Sequence, residues 1–167
     1  MNLDKLIPKK INFNKCILNN EDILDLNISG KNILVIGGAG TIGTNYIKQI
    51  LNYKPSKITV VDINENALTE LTRDLRSSSL LDYDPEYITY PLNLLNNTFD
   101  KIFNSESWHI VANFAAHKHV RSEKDKISVE ALIKNNVFGA IKLLDLCEQN
   151  KPKYFFSVST DKAANPV

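Results

Sequence analysis

The stretch NILVIGGAGTIG, residues 32–43, decides the fold. Its first half is a continuous apolar run ending in glycine, the pattern of a strand buried on both faces. Its second half sets Gly37, Gly40 and Gly43 in a GxxGxxG spacing, with Gly38 adding freedom between them. The residues that follow, TIGTNYIKQILNY, place Ile42, Tyr46, Ile47, Ile50 and Leu51 at helical intervals. A loop between such a strand and such a helix must turn sharply, bring its backbone close to a ligand, and pack the helix against the strand. Each task favours a residue without a side chain. The first N–H groups of the helix, around Thr41, Ile42 and Gly43, are then free to hold phosphate oxygens.

Working outward, KPSK breaks the helix and ITVVD reads as a second buried strand ending in Asp62. Asp62 lies nineteen residues past Gly43, close to the spacing of roughly twenty at which an acid meets the ribose hydroxyls of a bound dinucleotide. A carboxylate there repels a 2′-phosphate, so NAD is favoured over NADP. The competing reading is a glycine turn that binds nothing.

The alternation continues. NENALTELTRDLRSS is a polar-faced helix with Leu68, Leu71 and Leu75 inward, and YITYPLNL is a third strand with Pro91 near its end. NTFDKIFNSE is a short helix and WHIVANFAA a fourth strand. ISVEALIKNNVFGAIKLLDLCEQN is one long helix, and KYFFSVST a fifth strand. Strands alternating with helices imply right-handed crossovers and a parallel sheet covered on both faces. The expected fold class is therefore α/β, a doubly wound, Rossmann-like NAD(P)-binding domain seen through its first five strands. It occupies residues 31–167, behind a polar, weakly periodic arm at 1–30. Asn93 and Leu94, after the third strand, stand where an adenine edge would lie, although a polar strand end reads the same way. Ala115 and Ala116 are small enough for a cofactor to lie against them, and small residues also simply pack well.

Composition narrows the class. Twenty basic residues face nineteen acidic ones, which offers no basic stripe for nucleic acid. Cys16 and Cys147 are far apart and outside any metal-binding spacing, as expected of reduced thiols. No apolar stretch is long enough for a signal peptide or membrane span, so a cytoplasmic protein is expected. His117 and His119 lie two residues apart without a third ligand nearby, so no metal is expected.

Four stretches, GKNILVIGGAGTIG, NFAAHKHV, SVEALIKNNVFGAIKLLDLC and VSTDKAANPV, carry a resemblance that covers most of residues 30–167. The chain resembles the extended short-chain dehydrogenase/reductases. Within them it is similar to the nucleotide-sugar 4,6-dehydratases of bacterial polysaccharide synthesis, the UDP-N-acetylglucosamine 4,6-dehydratase group. The resemblance implies an NAD or NADP cofactor, a UDP-sugar substrate, and a homo-oligomer for the full-length protein. It also implies a redox-neutral elimination giving a 4-keto-6-deoxy sugar nucleotide.

The same resemblance implies roles for individual residues. Thr160 would hydrogen-bond the sugar, Asp161 would protonate the leaving C6 hydroxyl, and Lys162 would be the base at C5. A neutral lysine base requires a depressed pKa, through burial or a neighbouring positive charge. Lys118 and His119 would lie beside the nicotinamide and the sugar, and Asn136, in the long helix, would support the active-site geometry and the cofactor. Read without the resemblance, Ser159 to Asp161 are a capped turn, Lys162 and the HKHV residues are solvated, and Asn136 is a polar helix position.

Three departures stand out. Arg121 replaces a usual proline, Asn93 replaces a usual aspartate, and no Tyr-x-x-x-Lys or Met-x-x-x-Lys segment occurs in these 167 residues. The expectation is a fragment lacking that segment and the substrate domain, and inactive by itself. Two alternatives share the glycine loop and Asp62: a nucleotide-sugar 4-epimerase, which has no need of an Asp-Lys pair, and a non-catalytic NAD-binding module.

Overall fold

The computed structural model describes residues 13–117 and 125–158. Among them, five strands form one sheet: β1 (Asn32–Ile36), β2 (Lys57–Asp62), β3 (Glu86–Pro91), β4 (Ile110–Asn113) and β5 (Tyr154–Ser157). All pairings are parallel and the order is β3-β2-β1-β4-β5. The chain therefore builds outward from β1 in one direction, returns, and builds outward in the other. The expected doubly wound α/β fold is present.

The central strand explains why the core closes on both sides. Ile33, Leu34 and Val35 are fully buried, and alternate side chains point to opposite faces. Ile33 and Val35 meet Ile47, Ile50 and Leu51 of α3 (Thr41–Leu51) and Leu68, Leu71 and Leu75 of α4 (Glu65–Ser77). Leu34 and Ile36 meet Phe99 and Phe103 of α5 (Asn97–Asn104), together with Trp108 and Leu143. Burial of a large aliphatic or aromatic side chain contributes about 1.5–3 kcal/mol. These two clusters therefore account for most of what holds the layers together.

The long helix is interrupted. It runs as α6 (Lys126–Ile133), a π-helical turn at Lys134–Phe138, and α7 (Gly139–Asn150). Two strands are shorter than their apolar runs. β3 stops at Pro91, after which Leu92 N–H turns back to Tyr90 O (3.0 Å), and β4 stops at Asn113, which leaves Phe114–His117 as a loop. Proline cannot donate to a ladder, which fits an ending there.

Ahead of the sheet lie α1 (Phe13–Leu18) and α2 (Glu21–Ile28). Leu24 and Ile28 pack into the first cluster. Asn27 Oδ1 accepts from Lys153 Nζ (3.0 Å) and Tyr154 Oη (2.9 Å), which ties α2 to β5. Among the described residues no helix is long and apolar enough to cross a membrane.

Candidate functional site

At the C-terminal ends of β1 and β4 the chain departs in opposite directions, and a crevice opens between them. It encloses about 200 Å³. The glycine loop forms one wall. Gly37 has φ +70°, a conformation side chains disfavour, and a Cβ added there would stand 2.5 Å from Ala115 N. The β1 and β4 loops therefore touch backbone to backbone. Gly43 is required for a second reason, because a Cβ on it would meet Gly37 O at 2.5 Å and push α3 off the loop. Gly40 is different. Its added Cβ would have only an ordinary contact, 3.5 Å from Gly37 O, so the protein's own packing does not demand glycine there.

α3 begins at this loop with no side-chain cap on its first turn, since its N-cap residue is Gly40. Thr44 N–H closes the first helical bond, to Gly40 O at 2.8 Å. Gly43 is buried, whereas Ile42 is half exposed at the helix start. Asp62 braces the wall from β2: its Oδ2 accepts from Ala39 N (3.0 Å) and its Oδ1 from Asn64 N (3.0 Å). Each carboxylate oxygen can accept more than one hydrogen bond, so this bracing leaves capacity for a ligand.

The other wall is built from the ends of β3 and β4. Asn93 Oδ1 accepts from Leu95 N (2.8 Å), a local turn that presents residues 92–94 to the crevice. Leu94 is almost fully buried, against Gly139 of α7. Ala115 and Ala116 line the crevice beside His117. Of the sequence-predicted residues, the crevice thus gathers Gly37, Gly40, Asp62, Asn93, Leu94, Ala115 and Ala116. Lys118, His119, Thr160, Asp161 and Lys162 lie outside the described residues.

Asn136 is brought to the site indirectly. Its Oδ1 accepts from His117 N (2.8 Å) and its Nδ2 donates to His117 O (2.8 Å). Both ends of the amide are spent on the backbone of the loop after β4. The neighbouring Asn135 is the one that lines the crevice. The π turn is where this occurs, and such turns recur at functional sites because they re-aim side chains. Among the lining residues that sequence reasoning missed are Ile63, Phe114 and Asn135. Ile63 was findable as the residue directly after the strand-end acid, but the other two had no signal of their own.

A family model described as "Polysaccharide biosynthesis protein" matches residues 33–167. The chain is 33% identical over 137 residues to an "Uncharacterized membrane protein MJ1061" of Methanocaldococcus jannaschii, covering 82% of this chain and 38% of that protein. It is 32% identical over 145 residues to a "UDP-N-acetylglucosamine 4,6-dehydratase (inverting)" of Campylobacter jejuni, covering 83% of this chain and 39% of that protein. Among solved structures, Pen from Bacillus thuringiensis superposes with a TM-score of 0.69 at 27% identity, over 81% of this chain and 40% of that one. The chain thus spans about two fifths of the length of these relatives.

Proposed function

The chain belongs to the polysaccharide biosynthesis protein family, and from that premise we propose that it is the dinucleotide-binding part of a nucleotide-sugar 4,6-dehydratase acting on a UDP-N-acetylglucosamine-like substrate. The observation that carries this is the crevice at the reversal point of the sheet. Backbone approaches backbone there at Gly37 and Ala115, and Asp62 stands at its edge. The residues fit a dinucleotide. Gly37 lets the loops after β1 and β4 close backbone to backbone at the base of the crevice, and Gly40 is glycine without any demand from the protein's own packing, as a close-lying pyrophosphate would require. Asp62, at the end of β2, would accept from the adenosine ribose hydroxyls, and a carboxylate in that role favours NAD over NADP.

A nicotinamide bound here would take hydride from sugar C4 and return it at C6. The chain's own residues would do the remainder. Lys162 would remove the C5 proton, made acidic by the ketone at C4, and Asp161 would protonate the C6 hydroxyl as it leaves. Thr160 would hold the sugar in register, and Lys118 and His119 would flank it. Lys162 can act as base only when neutral, so the site must depress its pKa.

The test is Lys162→Ala in the whole protein that contains this chain, assayed with UDP-N-acetylglucosamine in deuterated water. The expected result is loss of deuterium exchange at C5 and of the 4-keto-6-deoxy product, by about a hundredfold or more, with dinucleotide affinity unchanged. A wild-type protein that yields only the 4-epimer, with C5 exchange absent from the outset, would sink the dehydratase reading.

A further inference from the structure

The crevice crosses the sheet from β1 toward β3. Asp62 pairs in register with Pro91, so the end of β3 lies one strand beyond Asp62, on the side away from the glycine loop. A dinucleotide with its pyrophosphate on that loop and its adenosine ribose at Asp62 therefore carries its purine toward residues 92–94. The lining there suits a flat apolar ring with a polar edge: Ile63 and Leu92 are aliphatic, and Asn93 stands beside them.

The turn after β3 fixes which atoms of Asn93 are left for a ligand. Its Oδ1 accepts from Leu95 N at 2.8 Å, and its backbone O accepts from Asn96 N at 2.9 Å. The orientation of the amide follows from the first bond. A backbone N–H can only donate, so the oxygen end must face Leu95, and the remaining end is the nitrogen. Among the described residues Asn93 Nδ2 has no partner, and neither has the N–H of Leu94, the next residue in the lining. Two neighbouring donors are therefore offered where a base would lie.

We propose that Asn93 is a specificity-determining residue that reads the purine by donation, so that the site takes a 6-oxo purine dinucleotide as readily as NAD. This rests on the dinucleotide binding proposed above and deepens it. Adenine presents a ring-nitrogen acceptor beside an amino-group donor, whether its N1 or its N7 edge faces the wall, so it satisfies one of the two donors and sets its N6 against the other. Hypoxanthine has an oxygen in place of that amino group. On its N7 edge it offers two acceptors, and on its N1 edge O6 alone accepts. Either way the 6-oxo base satisfies at least as many donors as adenine does. An aspartate at position 93 reverses the sense: one oxygen keeps the bond to Leu95 N–H, and the other becomes an acceptor for N6.

The test titrates the whole protein, wild type and Asn93→Asp, with NAD+ and with deamino-NAD+, in which hypoxanthine replaces adenine, at neutral pH. The quantity read is the ratio of the two dissociation constants, in which any general effect of the added charge cancels. Wild type is expected to bind deamino-NAD+ no more than about threefold more weakly than NAD+. Asn93→Asp is expected to move the ratio toward NAD+ by about tenfold or more, since a charged acceptor gains N6 and repels O6. The variant keeps the acceptor for Leu95 N–H, so the turn after β3 is preserved. A stronger preference of the wild type for NAD+, or an Asn93→Asp ratio equal to that of wild type, would overturn the assignment. Wild type showing the expected ratios but releasing no 4-keto-6-deoxy product would refute the dehydratase reading and leave the role of Asn93 standing. A wild type that binds neither dinucleotide would overturn both.

Discussion

At the scale of single residues, the site turns on places where a side chain would be one atom too many. Gly37 is the sharpest. Its φ of +70° and the 2.5 Å approach to Ala115 N act together, so even alanine faces both backbone strain and a clash with backbone that cannot swing away. Gly37→Ala is expected to cost about 2–4 kcal/mol of folding stability and to abolish dinucleotide binding. Urea unfolding and a dinucleotide titration on the same sample check both, and a variant that binds as wild type would contradict the geometry. Gly40→Ala makes the informative control: with its Cβ in ordinary contact only, it should fold normally and weaken binding alone. The need for glycine at 37 was legible in the sequence because the spacing repeats a known mechanical demand. The side-chain bonding of Asn113 was not. A polar residue closing an apolar strand reads as a strand end, and only its bonds to Ala115 and Ser157 distinguish it.

At the scale of elements, β1, α3, β2 and α4 follow the apolar pattern of the sequence almost residue for residue, because each buries a full stripe or both faces. Where burial fades, so does legibility. β3 is only partly buried along its length and stops at Pro91, before the apolar run ends. The π turn at Lys134–Phe138 is invisible in composition, since α and π turns draw on the same residues. What marks it is Asn136 reaching a backbone nineteen positions away, a contact no local window contains. The opposite end of the sheet shows how elements are pinned together. Lys57 opens β2, and its side chain is only 10% exposed. Its Nζ lies 2.5 Å from Glu106 Oε1 and 2.9 Å from Glu86 Oε1, joining β2 to β3 and to the segment before β4. Burial by itself lowers the pKa of the Lys57 ammonium. The hydrogen bonds and charges of Glu106 and Glu86 outweigh that burial and hold it above its ordinary 10.5. A folded pKa raised above the unfolded value stabilises the fold below the unfolded pKa, and that stability is lost as pH rises through the folded one. Wild type should therefore lose more stability than Lys57→Met between pH 9 and beyond about 10.5, measured by urea midpoints. At neutral pH the variant should be the weaker by about 1–2 kcal/mol. Parallel pH curves for the two proteins would show that the ammonium contributes nothing to this pinning.

At the scale of the whole molecule, the crevice is made by two halves whose strands meet along the β1–β4 pair. β1, β2 and β3 supply the glycine loop, Asp62 and Asn93, while β4 supplies Ala115 and Ala116. Strand alternation in the sequence implied this reversal, but which loops would touch depended on register, Ile36 against Asn113, which composition does not encode. A ligand lying in the crevice contacts both halves and only in the folded state, so its binding energy adds directly to folding stability. NAD+ at a hundred times its dissociation constant should stabilise the protein by about 2.7 kcal/mol, a rise in melting temperature of roughly 5–10 °C for a chain of this size. The same concentration of NADP+ should give a smaller rise, because its 2′-phosphate would meet the Asp62 carboxylate. Asp62→Ser should narrow that difference by removing the charge, although it also releases Ala39 N–H and Asn64 N–H and so weakens the loop for both ligands. The discriminating quantity is accordingly the ratio of the two shifts, not either alone. A wild-type ratio that favours NADP+, unchanged by Asp62→Ser, would mean that the ribose lies away from the end of β2 and that the acid serves only to brace the glycine loop.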